Sequence, residues 1–145
     1  MKLPEYVSKS EVKRVCKELG LRDWSALKKP TVELKEASTI LRIVNTQKMP
    51  VPLGDFRQGL EVELEHGTMY ADANVTNNHP LLTGKIVLAH LKETMDYYKR
   101  LDVAELEGDL LKAVLARDLK KIEAKYLKLV NAQLELNKAV QNQFK

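Results

Sequence analysis

Cysteine is almost missing from this chain: Cys16 is the single thiol among 145 residues. One cysteine excludes an intramolecular disulfide framework, and a reducing, intracellular setting is the simpler expectation. No apolar run approaches the roughly 20 residues that a membrane-spanning helix needs, so a membrane partner is not expected. The opening MKLPEYVSKSEVKRVC lacks the apolar centre of a secretion signal. The sequon Asn74-Val75-Thr76 is therefore discounted as a glycosylation site. Charge of one sign is lacking too. The formal charge is +4 with acids and bases intermixed, which is compatible with nucleic acid but gives only weak support for it. The pairs Lys28-Lys29 and Lys120-Lys121 read as solvated surface. Thr83-Gly84-Lys85 lacks the upstream glycine of a phosphate loop, and no serine or cysteine sits in a recognisable nucleophile motif.

Aromatic residues contribute only 6%, while hydrophobic residues reach 44% and charged residues 30%. That is enough apolar material for a core, and the dominance of Leu, Val, Ala, Lys and Glu favours helix. The expected fold class is all-α: a small domain of about four helices over residues 1–101, followed by a long C-terminal amphipathic helix over residues 102–145. Ser8-Lys9-Ser10-Glu11 has the form of a capping box. After it Val12, Val15, Cys16 and Leu19 recur at helical spacing up to Gly20, a natural helix stop. Cys16 on that stripe reads as a small core hydrophobe, and Trp24 as a core anchor. A second helix is expected from Thr31 to about Asn45, a third from about Gly54 to His66 closed by Gly67, and a fourth from about Thr83 to Leu101.

The last segment has no proline between Asp102 and Phe144. As one helix it would be roughly 60 Å long at 1.5 Å per residue. Leu111, Leu115, Leu119, Ile122, Tyr126, Leu129, Leu136 and Val140 follow a four–three rhythm, and Leu127, Val130 and Leu134 form a second row. Such heptads argue for coiled-coil or bundle contact, so self-association or docking on protein partners through residues 111–140 is expected.

Polar residues on an apolar face supply the candidate site. At 100° per residue, Phe56, Leu60 and Leu64 form the apolar arc of the third helix. Arg57, Gln58, Glu61 and Glu65 point away, but Glu63 falls beside Phe56, and His66 beside Gly59. On the fourth helix His90 falls between Tyr97 and Leu101, with Glu93 one turn away. Residues three apart share a helix face. Two adjacent helices could therefore aim Glu63, His66, His90 and Glu93 at one point. That set suits a divalent metal such as zinc, iron or manganese, with Tyr97 or Tyr98 as a hydrogen-bonding support. The competing reading is a structural network in which histidine and carboxylate satisfy each other, and His66 near a helix C-terminus needs no ligand role. His79, in a loop before Pro80, is expected to be exposed.

The segments FRQGLEVELEHG and NVTNNHPLLTGKIVLAHLKETMDYYKRL resemble an uncharacterised domain family of bacteria, archaea and tailed phages, catalogued as a domain of unknown function. Its members are similar in a Val-Glu-Leu-Glu-His-Gly segment, an Asn-Val-Thr loop and a Gly-Lys-Ile-Ala-Leu-Ala-His-Leu-x-Glu helix ending in Asp-Tyr-Tyr and Arg-Leu. The resemblance covers about Phe56 to Leu101. Asn78-His79 stands where an acidic pair is usual, and Thr94-Met95 where a proline commonly precedes Asp-Tyr-Tyr. The resemblance implies no reaction. It implies a prokaryotic or phage origin, hence the cytoplasm of a prokaryotic host or a virion. The expectation is a non-enzymatic structural or assembly protein with a buried Glu/His network. The alternative is a metal-binding protein or metallohydrolase using the four residues above.

Overall fold

A computed structural model describes residues 6–144. Every regular element among them is helical: α1 (Lys9–Leu19), α2 (Leu34–Val44), α3 (Leu53–Met69), α4 (Pro80–Glu93), α5 (Tyr97–Leu115) and α6 (Leu119–Asn142), with short 3-10 turns at Trp24–Ala26 and Ala71–Ala73. The all-α expectation holds, including the long C-terminal helix. No helix is long and apolar enough to cross a membrane among the described residues. The chain forms two compact units, the first ending at Glu93 and the second beginning at Thr94.

In the first unit α4 packs against α1, α2 and α3, and α2 packs on α3. α1 begins as its sequence prescribes: Ser8 Oγ accepts the Glu11 N–H, and Gly20 closes the helix in the left-handed region at φ 66°. Val12, Val15 and Cys16 are buried, and burial pushes the Cys16 thiol up, away from thiolate reactivity. Trp24, Ile40, Phe56, Leu60, Leu64, Val87 and Leu91 complete the core. Gly84 sits where α4 comes closest to α2. A Cβ there would lie 2.6 Å from Ile40 Cγ2 and 3.3 Å from Val44 Cγ2, so only glycine fits.

α3 runs past its expected end. Gly67 lies inside it, because the loop that follows folds back onto that residue. Asn74 Nδ2 donates to the Gly67 carbonyl at 3.0 Å, and Asn74 Oδ1 accepts the Asn78 N–H at 3.2 Å. A Cβ on Gly67 would run into Asn78 Oδ1. Asn77 and Asn78 take positive φ, which asparagine tolerates better than other side-chain-bearing residues. Asn77 Nδ2 also donates to the Val7 carbonyl at 2.5 Å. The Asn-rich loop is thus a clasp.

In the second unit the expected continuity breaks twice. The helix read from Thr83 to Leu101 ends at Glu93, and α5 starts at Tyr97. Between them Thr94 Oγ1 donates to Asp96 Oδ1 at 2.5 Å, while the Asp96 carbonyl accepts from Lys99 and Arg100. The helix read from Asp102 to Phe144 is instead two helices. The Arg117 N–H bonds the Val114 carbonyl, and the Asp118 N–H bonds the Ala113 carbonyl. This is a Schellman closure with Arg117, at φ 54°, where glycine is usual. Asp118 then caps α6 by accepting the Lys121 N–H at 3.1 Å. The chain reverses within this turn. Lys125 Nζ meets Asp109 Oδ2 at 2.5 Å, and Gln143 Nε2 meets Asp96 Oδ2 at 3.2 Å. Later residues of α6 therefore meet earlier residues of α5, and the two form an antiparallel hairpin. Its seam on α6 runs through Ile122, Lys125, Leu129, Ala132, Leu136, Ala139 and Val140, the residues shielded from solvent.

Candidate functional site

The four residues selected from sequence do not converge. Glu63 and His90 do meet: the elongated α3 and α4 set His90 Nε2 3.6 Å from Glu63 Oε1, a charge-pair separation longer than a hydrogen bond. Both are half-buried, whereas His66 and Glu93 are exposed. The buried arc of α3 is closed on that side by Gly59, and His66 lies one step beyond it. Glu93 ends α4, where the helix face it shares with His90 runs out. Among the described residues no three His, Cys, Asp or Glu side chains are arranged to hold a metal ion. Tyr97 and Tyr98 belong to the second unit, where their rings meet edge to face with centroids 5.2 Å apart.

Two placements on α3 follow from the same geometry. Glu65 is exposed as expected. Glu61, expected in water, accepts the Val32 N–H at 3.0 Å and so pins the approach to α2.

The most heavily bonded carboxylate of the first unit is one that sequence patterns did not single out. Glu36, in the first turn of α2, is buried to 3% exposure. Its Oε1 accepts from the Arg22 backbone N–H at 3.1 Å, Arg22 Nε at 3.1 Å and Trp24 Nε1 at 3.2 Å. Its Oε2 accepts from an Arg22 guanidinium nitrogen at 2.5 Å and the Glu33 N–H at 3.0 Å. Burial alone would raise this carboxyl. The Arg22 guanidinium, the two backbone N–H groups and the indole outweigh it and hold the group below the usual carboxylate range. With every lone-pair direction engaged, this is a structural knot that fixes Trp24 and the start of α2. The available signal was Glu33-x-x-Glu36 before an apolar run, since α2 has a capping box on those residues.

His79 corrects a second expectation. It is buried, at 8% exposure, because it forms the entry to α4, which packs on α1. Its carbonyl accepts the Thr83 N–H at 2.9 Å, and its Nδ1 accepts the Leu82 N–H at 3.4 Å. Pro80 takes the first helical position, where a missing N–H costs nothing. Burial lowers the His79 imidazole, against the attraction of Glu11. The neutral ring with its proton on Nε2 is the form that can accept from Leu82.

The second unit carries a different kind of feature. On a helical wheel the apolar residues left over from the α6 seam gather on one flank: Leu119, Tyr126, Leu127, Val130 and Leu134. On α5 the exposed Val114 falls on the same side of the hairpin, since in antiparallel helices the same angular offset from the seam leads to the same side, while Leu111 and Leu115 point away from the seam. They are solvent-exposed, from 37% for Val130 to 79% for Leu119. The opposite side of the hairpin holds the Asp109–Lys125 pair and Lys112 and Lys121. One side is thus ionic and satisfied, and the other is mainly apolar, interrupted by the exposed Glu123.

A family profile described as Protein of unknown function (DUF5661) matches residues 12–107. The match takes in the whole first unit from the first turn of α1 onwards, and the first half of α5. It extends well beyond the Phe56–Leu101 segment on which the resemblance rested. No curated protein and no solved structure matches the chain significantly.

Proposed function

Since the chain belongs to the family described as Protein of unknown function (DUF5661), whose description names no reaction, we propose a function from the geometry: a non-enzymatic assembly protein. The helical first unit is the scaffold, and the α5–α6 hairpin is its docking element. The observation that carries this reading is the row of apolar residues along one side of the hairpin, with Leu119, Leu127 and Leu134 at 79%, 63% and 51% exposure. Several large exposed apolar residues gathered on one flank are a mark of protein interfaces. The setting we propose is a prokaryotic assembly or a phage particle, supported by the resemblance of Phe56–Leu101.

The test is a photo-reactive amino acid at Leu127, introduced into the protein in the cells that naturally carry it. Irradiation yields a discrete adduct above the chain's 16.5 kDa, and the same probe at Lys128, on the other flank of α6, yields none. Absence of any Leu127 adduct refutes the docking role.

A further inference from the structure

We propose that His79 is a proton-sensitive latch: its neutral ring caps α4 and holds the Asn-rich clasp shut, and a proton on Nδ1 releases both. The ring sits at the entry to α4, 8% exposed, and its Nδ1 accepts the Leu82 N–H at 3.4 Å. Leu82 belongs to the first turn of α4, whose N–H groups have no carbonyl partner within the helix. The side chains that usually serve there are serine, threonine, aspartate and asparagine, which still accept at mildly acid pH. An imidazole accepts only while it is neutral, because both nitrogens of the charged ring are donors. The same proton also places a positive charge at the positive end of the α4 dipole.

The surroundings do little to accommodate that charge. Burial is the largest influence and holds the imidazole below its ordinary 6.5. The charged groups acting on the ring both come from α1. Glu11 attracts the proton, but its two carboxylate oxygens already accept from Arg14 at 2.8 and 2.7 Å, and Arg14 itself repels the proton. The carbonyl of His79 favours the proton as well, yet it already accepts the Thr83 N–H at 2.9 Å. An opened chain therefore takes the proton first. The latched form is favoured above about pH 6.5 and loses ground as pH falls below it. The clasp is the part that gives way. Ala71, Asp72, Ala73 and Val75 are exposed, and burial resumes only at Asn78. Its other fastenings include hydrogen bonds from Asn74 to the Gly67 carbonyl and from Asn77 to the Val7 carbonyl. Segments with so little buried apolar surface open locally before the rest of the fold.

Amide hydrogen exchange read by NMR on the full-length protein tests this, with intrinsic exchange rates divided out. The range is about pH 8 down to about pH 5, where histidine is the side chain that ordinarily changes charge. Protection of the Leu82 amide is expected to fall about fivefold, the factor that loss of a helix cap carries, in step with titration of the His79 ring. The Asn78 amide, bonded to Asn74 Oδ1, is expected to lose protection with it. His79→Asn keeps an acceptor at every pH in the range and is expected to hold Leu82 protection level. Glu11→Gln removes the attraction for the proton and is expected to move the fall to lower pH. A His79 ring that titrates at or above its ordinary value overturns the inference. So does Leu82 protection that stays level in the unmodified protein, a fall that persists in His79→Asn, a shift to higher pH in Glu11→Gln, or an Asn78 amide that stays protected while Leu82 is exposed. If His79→Asn fails to fold, the ring titration and the Leu82 and Asn78 amides of the unmodified protein decide the matter.

Discussion

Asp96 is the sharpest place to perturb the second unit. Its side chain is 1% exposed, and it ties the two ends of the hairpin together. Arg100 donates to both carboxylate oxygens at 2.8 and 2.9 Å, Thr94 donates from one side and Gln143 reaches across from the end of α6. The Arg100 guanidinium first, and then the Thr94 and Gln143 donors, outweigh burial and hold the carboxyl down to about 2 from its ordinary 3.8. At about 1.36 kcal/mol per pK unit, that shift is worth about 2.5 kcal/mol. Arg100 is 54% exposed, so solvent screening trims the expected contribution to about 1–2 kcal/mol. Asp96→Asn keeps the shape and removes the charge. Urea unfolding at neutral pH, followed by circular dichroism, is expected to show the variant less stable by that amount. The pH dependence has a fixed sign. A carboxyl depressed in the folded state stabilises above its unfolded pKa near 3.8, and the contribution disappears as pH falls toward 2. The stability gap between the parent and the Asp96→Asn variant is therefore full at about pH 5 and above and closes between about pH 4 and 2. A variant as stable as the parent at neutral pH, or a gap that persists unchanged at about pH 2, refutes this account of the clasp.

Two further outcomes concern the first unit. Gly84→Ala forces a methyl against Ile40 and Val44 and is expected to cost about 1–3 kcal/mol, read as a lower thermal midpoint; an unchanged midpoint would mean that α4 can move away from α2 cheaply. His66→Ala and Glu93→Ala, both exposed, are expected to stay within about 0.5 kcal/mol of the parent, and excess zinc is expected to leave the midpoint where it is. A midpoint that rises with zinc in the parent but not in His90→Ala would restore the metal reading.

Much of the fold was legible because helix signals are local. The Ser8 cap, the Gly20 stop, and the apolar stripe of α1 depend on residues within a few positions of one another, and composition alone pointed to helix. The breaks at Thr94–Asp96 and Ala116–Asp118 were harder. Neither contains glycine or proline: at the first the Asp96 carbonyl opens α5 with no side-chain cap, and at the second Arg117 takes the position usual for glycine while the Asp118 side chain caps α6. The resembled family's proline before Asp-Tyr-Tyr, at Thr94-Met95 here, was a hint of the first break, and Asp118 before a lysine-rich turn was the hint of the second. Heptads said that the C-terminal segment pairs. They could not say that its first partner is the segment just upstream.

The candidate site divides along the same line. Periodicity identified Glu63 and His90 as residues facing inward, and they meet. A wheel gives a direction, not a depth, so it could not tell that Gly59 closes the buried edge of α3 and leaves His66 outside it. Nor could it show that Glu61 would reach the Val32 N–H, that α1 would cover His79, or that a buried Glu36 would be satisfied by Arg22 and Trp24 from a different segment. By itself the sequence determined that the chain is helical, how α1 is capped and closed, and which residues form the apolar stripes of α1 and α3, because those properties come from neighbours within a turn or two. Only the tertiary structure decided which carboxylates acquire partners and which apolar rows remain in water. Those outcomes depend on what the rest of the chain brings within a few ångströms, and the strip from Leu119 to Leu134 is left exposed because the α6 seam with α5 uses a different face of the same helix.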